Sequence, residues 1–359
     1  MSKVLFFTTR HGTGGAELNS LMLAEQLAQQ GFQTEMWCLY RVGDLRDTSV
    51  PLRVFSAAPP RSPAAFFKMA WQFLKAVREE RPVAAFGFQP LANILGSLAM
   101  FGLGPFVASQ RNPSSSQRLI IRVAEAVVGS TPLYHSNVCV SHAVCDTYRR
   151  YPAAYRRRLV VIHNGLPPLP SSPLSKRQAR DSLGLPVEAS VVGYVARLHQ
   201  QKNPLFLLQV MELMQDWHLV FVGDGPMEAE VRARAARFGG RVHFLGRLDG
   251  QDLVNAYRSF DVLAFPSLYE GFGRTLVEAM SLGVPVVAND IPITREVMGD
   301  AGRFAPLDPT VWANELANAA HMKDRTVLSS RAGSFSLSNM VSQYANQINR
   351  TAPSKDKTR

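Results

Sequence analysis

The sequence predicts an α/β protein built from two doubly wound domains. Short apolar runs alternate with segments of helical period along the whole chain, which is typical of parallel strands covered by helices. The chain has 359 residues, of which 46% are hydrophobic. Because a single hydrophobic core stops growing near ~250–300 residues, two domains are expected.

The first domain is predicted to span residues 1–165. It opens with a strand at residues 4–8, a glycine-containing loop, and a helix at residues 16–30 whose leucines recur at helical spacing. A further helix is expected at residues 91–101. The remaining strands are predicted at short apolar runs, namely residues 83–88, 106–109, 138–141 and 159–162.

Residues 82–110 contain no charged residue, and a run of that length could cross a bilayer. Glycines and prolines interrupt the run, however, and Gln89 and Asn93 lie inside it. We therefore interpret it as a strand, a helix and a strand of a buried parallel sheet.

The second domain is predicted to span residues 166–336, after a proline-rich junction at residues 166–173. Residues 337–350 are expected to form a helix that returns to the first domain, and residues 351–359 a polar tail. The strands of the second domain are predicted at residues 191–195, 218–222, 242–244, 262–265 and 285–288.

The net charge of +11 is concentrated in the first domain. Up to Gly165 there are 18 Lys and Arg against 9 Asp and Glu, whereas the remainder carries 21 against 19. Such an asymmetry predicts an anionic partner for the basic half. No nucleic-acid-binding motif accompanies the charge, so nucleic acid is not expected. A pyrophosphate-bearing substrate or an anionic membrane face fits the pattern better.

The amphipathic stretch at residues 66–80 extends this argument, because Lys68 and Trp71 lie among its apolar residues. It is either an ordinary core-facing helix or, with the arginines of residues 149–158, a contact with an anionic membrane surface. Three cysteines form no metal-binding spacing, and the first residues lack a secretory apolar region. We expect a cytoplasmic protein, peripheral on the inner face of the membrane if that contact forms.

The most informative segment is residues 260–288. A strand ends at Pro266, and a turn containing Gly271 and Gly273 leads into a helix. The amino end of such a helix, at the carboxyl edge of a parallel sheet, favours phosphate. Glu270 lies in the turn, and Glu278 lies about two helical turns further on. The alternative is that Glu270 only caps the helix and that Glu278 is a solvated surface residue.

Two other segments point to the same chemistry. Arg197 and Lys202 follow a predicted strand, where two cations can neutralise a diphosphate, although a pair of surface cations is the alternative. Near the amino terminus, Gly14 and Gly15 permit close approach of the backbone to a ligand. A tight strand-to-helix turn without a ligand would need the same residues.

In their order along the chain, these motifs resemble those of the retaining glycosyltransferases of family 4. The resemblance rests on Pro-Ser-Leu-Tyr-Glu-Gly-Phe-Gly with a second Glu eight residues after the first, and on five further segments. Those segments are residues 14–17, 163–165, 192–202, 222–226 and 244–246. The resemblance implies GT-B architecture, in which two Rossmann-like domains face a central cleft.

The resemblance also implies site roles. Glu270 would bind donor-sugar hydroxyls, while Arg197 and Lys202 would stabilise the departing nucleoside diphosphate, and Glu278 would hold the ribose. No Asp-x-Asp is present, so neither a metal nor another cofactor is expected, and UDP and GDP both remain open as the nucleotide. The other implied donor-binding residues are Gly14, Gly15, Gly223, Leu248, Gly271, Phe272, Gly273, Arg274 and Thr275.

The acceptor side departs from the family pattern, since Gln89 stands where many relatives carry a histidine, and glutamine cannot titrate. Arg111 is expected to meet an anionic acceptor or to form a structural salt bridge, and His142 is a further candidate.

The predicted activity is retaining, metal-independent transfer of a hexosyl or N-acetylhexosaminyl group (EC 2.4). The acceptor would be a hydroxyl of a glycan or of a lipid-pyrophosphate-linked glycan in bacterial exopolysaccharide, capsule or lipopolysaccharide synthesis. The alternatives are a sugar-nucleotide epimerase or hydrolase of the same architecture, and a non-catalytic binding protein.

Overall fold

The structure is a computed structural model that describes residues 2–11, 15–42 and 48–349. It divides into two compact units. Unit 1 contains the residues up to Gly165 and the helix Leu337–Asn349, and unit 2 is Leu166–Ser336. Gly14 and residues 350–359, for which sequence predictions were made, lie outside the described residues.

Unit 1 contains a parallel sheet with the strand order β3-β2-β1-β4-β5-β6-β7. The order reverses between β1 and β4, which makes this pair the topological switch point of the sheet. The strands are β1 (Lys3–His11), β2 (Gln33–Arg41), β3 (Leu52–Val54), β4 (Ala84–Gly87), β5 (Phe106–Gln110), β6 (Ser136–Cys139) and β7 (Leu159–Val161).

Helices cover both faces of this sheet, because successive side chains of each strand point to opposite faces. On β1, Val4 and Phe6 pack with α1 and α15, whereas Leu5 and Phe7 pack with α2 and α3. The helices of unit 1 are α1 (Gly15–Gln29), α2 (Pro63–Glu80), α3 (Pro90–Met100), α4 (Leu119–Gly129), α5 (His142–Asp146), α6 (Ala153–Arg156) and α15 (Leu337–Asn349).

Unit 2 repeats this plan with the strand order β10-β9-β8-β11-β12-β13, again entirely parallel. Its switch point lies between β8 and β11. The strands are β8 (Ser190–Val195), β9 (Trp217–Val222), β10 (Val242–Gly246), β11 (Val262–Phe265), β12 (Val286–Asn289) and β13 (Arg303–Ala305).

One core of unit 2 lies between the sheet and α8, α9 and α13, where Phe206 packs edge-on against the buried Trp312. The helices are α7 (Lys176–Ser182), α8 (Pro204–Leu213), α9 (Glu228–Ala235), α10 (Gly250–Ser259), α11 (Arg274–Ser281), α12 (Pro292–Met298), α13 (Pro309–Ala320) and α14 (Thr326–Gly333).

The predicted fold class, two doubly wound α/β domains, is confirmed. The largest displacement of a predicted strand is at β6, which lies two residues earlier than expected. Ser141 cannot belong to it because its side chain accepts a hydrogen bond from the Val144 amide (3.1 Å) and so caps α5. Among the described helices, none combines the length and the apolar run that crossing a membrane would require.

Candidate functional site

The candidate site lies at the carboxyl ends of β8 and β11, at the switch point of unit 2. Lys202 follows β8 and Glu270 follows β11, and the two side chains form an ion pair. The Lys202 ammonium also lies 5.7 Å from the centre of the Phe265 ring. Only 9% of the Glu270 side chain is exposed, and the ion pair with Lys202 offsets the cost of burying the carboxylate. Glu270 is therefore not a solvated helix cap.

Backbone hydrogen bonds fix the two loops that carry this pair. The Leu268 amide donates to the Gln201 carbonyl (2.8 Å), and the Gln201 side chain donates to the Tyr269 carbonyl (2.8 Å). From β12, the Asn289 side chain donates to the Ser267 carbonyl (3.0 Å). The ends of three neighbouring strands are thus tied together, and the ion pair has a defined position.

The glycine turn after Glu270 determines where α11 begins. Gly273 has φ +81°, and a Cβ atom there would lie 2.8 Å from Leu276 Cδ1, so glycine is required. No side chain caps the helix. Gly271 is buried, and the buried Phe272 ring packs edge-on against Phe335 at 5.3 Å. The Phe272 side chain therefore belongs to the core, and only its backbone could meet a ligand.

Glu278 is held by two neighbours on the buried side of α11. Arg274 Nε donates to Oε1 at 2.7 Å, and the Tyr257 hydroxyl donates to Oε2 at 2.8 Å. Burial, together with the negative charge of Glu278, raises the pKa of Tyr257 well above its usual value. Because the Glu278 side chain is only 6% exposed, the alternative of a solvated surface residue is excluded. Thr275, on the same first turn, is half-buried.

The other predicted donor residues lie at the same edge of the sheet. Gly223 follows β9 with φ +127°, and a Cβ atom there would lie 2.2 Å from the Ala196 carbonyl oxygen, so glycine lets the chain pass close to the end of β8. Arg197 is exposed, and its side chain has no hydrogen bond or ion pair within the described part of the chain. Leu248, after β10, is half-buried.

In unit 1, Gln89 lies at the switch point between β1 and β4. Its side-chain oxygen accepts from the amides of Thr9 (2.9 Å) and Arg10 (3.1 Å), and its nitrogen donates to Glu17 Oε1 (2.8 Å). Glu17 is buried and also lies 3.4 Å from Arg10 Nε. These contacts fix the Gln89 side chain between the carboxyl end of β1 and Glu17. Gly15 is the first residue of α1.

Arg111 follows β5 and makes no ion pair within the described residues. Its Nη1 lies 3.4 Å from Ser109 Oγ and 3.5 Å from the Tyr344 hydroxyl, and the guanidinium lies 5.4 Å from the centre of the Phe88 ring. Its Nη2 is buried without a hydrogen-bond partner. Burial lowers the pKa of Arg111, and the Tyr344 oxygen opposes this. The alternative that Arg111 forms a structural salt bridge is therefore excluded within the described residues.

His142 is exposed at the start of α5, with its ring 5.9 Å from that of His163.

The sequence identified neither Glu17 nor Tyr257 as a site residue. Glu17 carried a signal, because it follows the glycine pair in Gly-Gly-Ala-Glu. Tyr257 carried none, since an aromatic residue on the inner face of α10 is typical of any core.

The fold and this edge of charged residues define a class, the glycosyltransferases of GT-B architecture. A model of Glycosyltransferase Family 4 matches residues 13–168, and a model of Glycosyl transferases group 1 matches residues 189–321. Together the two models match most of the chain. The chain therefore belongs to the glycosyltransferases of GT-B architecture that these two models describe.

Individual relatives agree with this assignment. A putative glycosyltransferase EpsF of Bacillus subtilis is 37% identical over 147 residues, which is 38% of each chain. The phosphatidyl-myo-inositol mannosyltransferase of Mycolicibacterium smegmatis is 32% identical over 230 residues, covering 61% of this chain and 57% of the relative. The matched segments thus span about two fifths to three fifths of these relatives.

Among solved structures, Anabaena Alr3699/HepE in complex with UDP and glucose superposes with a TM-score of 0.82. The alignment covers 97% of this chain and 100% of that one at 21% sequence identity. At this level of identity, the likeness shows the shared fold.

Proposed function

We propose that the protein is a retaining glycosyltransferase that moves a sugar from a nucleoside-diphosphate sugar to a hydroxyl of a glycan or lipid-linked glycan. The observation that carries the proposal is the set of partly buried charges at one switch point of unit 2. Parallel sheets bind ligands at this position, and Lys202, Glu270 and Glu278 are all held there by defined partners.

The two glutamates are proposed to hold different parts of the donor. Both Glu278 oxygens already accept hydrogen bonds, from Arg274 and Tyr257, which orients the carboxylate to accept further bonds from the ribose hydroxyls. Glu270 accepts from Lys202 through Oε1 only, and its Oε2 has no hydrogen bond among the described residues. That second oxygen is available to the hydroxyls of the donor sugar.

Cations are proposed to stabilise the leaving group. In the reaction, the bond between the anomeric carbon and the diphosphate oxygen breaks while the acceptor oxygen bonds to the same face. The acceptor proton passes to the departing diphosphate. Arg197, which is exposed, and Lys202, which can share its ammonium between Glu270 and a phosphate, would offset the developing charge. The uncapped amino end of α11 adds to them, so we propose that no metal ion is needed.

The acceptor is proposed to contact unit 1. Arg111 offers a buried nitrogen without a partner, which suits a phosphate or carboxylate on the acceptor. Gln89 would act through Glu17 and the end of β1 rather than as a base, because an amide cannot titrate. The similarity to a mannosyltransferase of phosphatidyl-myo-inositol supports an acceptor of lipid type. Bacterial surface-polysaccharide synthesis in the cytoplasm, at the inner face of the membrane, is the setting proposed.

Calorimetry with UDP, GDP and their sugar conjugates tests the donor half. We expect binding of one nucleotide class without added metal, and Arg197→Ala should weaken it about tenfold or more. Lys323→Gln, which removes an exposed cation elsewhere in unit 2, is the matched control. Absence of binding by every nucleotide would contradict the proposal. Release of nucleoside diphosphate with free sugar, and no transfer to any acceptor, would favour the hydrolase instead.

A further inference from the structure

The backbone turn that presents Lys202 is short. Lys202 is the last residue of a single 3-10 turn, residues 200–202, between β8 and α8. Its amide donates to the His199 carbonyl (2.8 Å), and the next amide along the chain donates to the Gln200 carbonyl (3.1 Å). A single turn fixes several backbone dihedrals for very few hydrogen bonds, so it is weak by itself. The position of Lys202 therefore depends on what closes the two ends of this turn, which we name the Lys202 turn.

At its carboxyl end, the backbone itself closes the Lys202 turn. Asn203 has φ +51° and is, with Arg81, one of two non-glycine residues in the described ranges that have positive φ. Asparagine adopts this left-handed conformation more readily than most residues do. Pro204 follows as the first residue of α8, where its fixed φ suits the start of a helix. This end of the turn therefore needs no hydrogen bond from a side chain.

At the amino end, the ring of His199 closes the Lys202 turn. His199 has an extended backbone, and its Nδ1 accepts a hydrogen bond from the Gln201 amide (3.1 Å). Such a cap satisfies an amide that has no partner within the turn. Only an unprotonated ring nitrogen can accept, so the neutral ring carries its proton on Nε2. An imidazolium would present a second donor to the Gln201 amide, and the cap would be lost.

Gln201, which this cap holds, connects the Lys202 turn to the loop that carries Glu270. Its carbonyl and its side chain each form a hydrogen bond at 2.8 Å with the two residues just before Glu270. Lys202 and Glu270 come next along their loops and form the ion pair of the site. A change in the backbone orientation of Gln201 would therefore displace both members of the pair. His199 acts on Lys202 through Gln201.

The ring of His199 lies where it can exchange a proton with solvent. His199 is half-buried and lines a cavity of about 600 Å³ beside the Lys202 turn. Glu230, from the first turn of α9, lines the same cavity and accepts from Arg234 (2.7 Å).

Charged and titratable residues lie on each of the loops and helices that meet at this cavity. They are Arg197, Lys202, Asp224, Glu228, Glu230, Tyr269 and Glu270. Two of them, Arg197 and Lys202, are cations on the loop of His199 itself. A proton on the ring would therefore add a third positive charge to one short loop, in addition to breaking the cap.

We propose that His199 is a positioning residue for sugar transfer, because its neutral ring closes the Lys202 turn and holds the Lys202 ammonium in place. Protonation of the ring opens the turn. This inference rests on the role proposed for Lys202. Since histidine side chains titrate in the physiological pH range, transfer declines on acidification even where both substrates keep their ionisation. The ring passes no proton to a substrate, so His199 is not a catalytic base.

Steady-state kinetics of sugar transfer test the proposal. His199→Ala removes the cap, whereas His199→Asn replaces it with a common cap residue that cannot titrate. At pH 8, His199→Ala should lower kcat/KM about three- to tenfold, mainly through kcat, and His199→Asn should restore it to within about twofold. Between pH 8 and pH 5, the ratio of kcat/KM of the original protein to that of His199→Asn should fall about three- to tenfold.

The matched control is His321→Asn, which replaces an exposed histidine at the end of α13. It should follow the original protein at both pH values. Three results would each overturn the proposal. They are equal kcat/KM of His199→Ala and the original protein at pH 8, no rescue by His199→Asn, and a ratio to His199→Asn that does not change with pH.

Hydrogen exchange of peptides covering residues 199–203 tests the cap without any substrate. Exchange at the Gln201 amide should be faster in His199→Ala than in the original protein, with protection restored in His199→Asn and unchanged elsewhere in unit 2. Equal exchange in the Ala variant and the original protein would show that the ring does not close the turn. If the original protein transferred no sugar from any donor, the proposed function would fail, whereas exchange at Gln201 would still decide what His199 does.

Discussion

The two ends of strand β11 each carry a carboxylate with a lysine partner, but the two carboxylates are used differently. At the amino end, Asp261 accepts from Lys176, from Arg180 Nη2 (2.8 Å) and from the Val191 amide (2.6 Å). At the carboxyl end, Glu270 accepts from Lys202 alone within the described residues.

The difference in hydrogen-bond partners shows that the amino end of β11 has a structural role. Arg180 also donates to the carbonyls of Ser259 (2.9 Å) and Val187 (2.7 Å), so the amino end is a closed network whose polar groups satisfy one another. At the carboxyl end, one Glu270 oxygen has no hydrogen-bond partner in the part of the chain that the structure describes, although only 9% of the side chain is exposed. A carboxylate oxygen that is left open at a switch point can accept a hydrogen bond from a ligand.

The largest effect on stability is expected at the amino end. Asp261→Ala would leave Arg180, whose side chain is 5% exposed, without an anionic partner, and should lower the free energy of unfolding by about 3–5 kcal/mol. Denaturant titration measures this loss, with Glu188→Ala, which removes an exposed ion pair with Arg177, as the control. If Asp261→Ala unfolded like Glu188→Ala, the closed network would not be structural.

At the carboxyl end the expected loss is of activity. Lys202→Ala should reduce kcat/KM for sugar transfer by about 10²–10³-fold, because it removes the cation that we propose to offset the developing charge of the diphosphate. Glu270→Ala is expected to abolish transfer as well, with the fold retained. The matched control is Lys176→Ala, which breaks the ion pair at the other end of the strand. Equal activity of Lys202→Ala and Lys176→Ala would erase the distinction between the two ends.

Glu125, a fully buried carboxylate of unit 1, shows what burial does where no ion pair forms among the described residues. Burial raises the pKa of Glu125 to about 7 from its usual 4.5, against the hydrogen bonds from Tyr134, Gln110 and Tyr155. The folded protein therefore keeps this proton to a higher pH than the unfolded chain does. Stability from this group is present below about pH 4.5 and is lost as the pH rises through about 7.

We accordingly expect unit 1 to lose about 2–3 kcal/mol of stability between pH 5 and pH 8 through Glu125. Glu125→Gln, which keeps the shape but cannot ionise, should remove this part of the pH dependence. Denaturant titrations of both proteins at the two pH values measure the difference. A Gln variant with the original pH profile would show that Glu125 is not the titrating group.

The smallest expected effect concerns the orientation of Glu278. Tyr257→Phe removes one hydrogen bond to a buried carboxylate and should weaken nucleotide binding about three- to tenfold, with little change in kcat. Calorimetry with the nucleotide, and KM set against kcat in the transfer assay, separate the two quantities. A fall in kcat with unchanged binding would place Glu278 at the reacting centre instead of the ribose.

Much of the candidate site could be predicted from the sequence, because the ends of strands are local features. An apolar run that stops at Pro266 and a glycine that must adopt positive φ at Gly273 identify where α11 begins, and Glu270 and Glu278 follow from their distance to that start. Their partners could not be predicted in the same way. The spacing of apolar residues describes each helix or strand alone and does not show which elements pack together. In α4, for example, this spacing predicts that the apolar stripe is buried, whereas the structure exposes it.

By itself, the sequence determined the two parallel sheets, the positions of ten of their strands and the edge on which the charged residues lie, since all of these depend on patterns within a few residues. The strands β2, β3 and β13 were not predicted. Only the tertiary structure decided which side chains meet. Lys202 and Glu270 are 68 residues apart and pair because β8 lies beside β11 in the sheet. Glu125 faces inward because three distant side chains satisfy it, and that contact turns the apolar side of α4 outward.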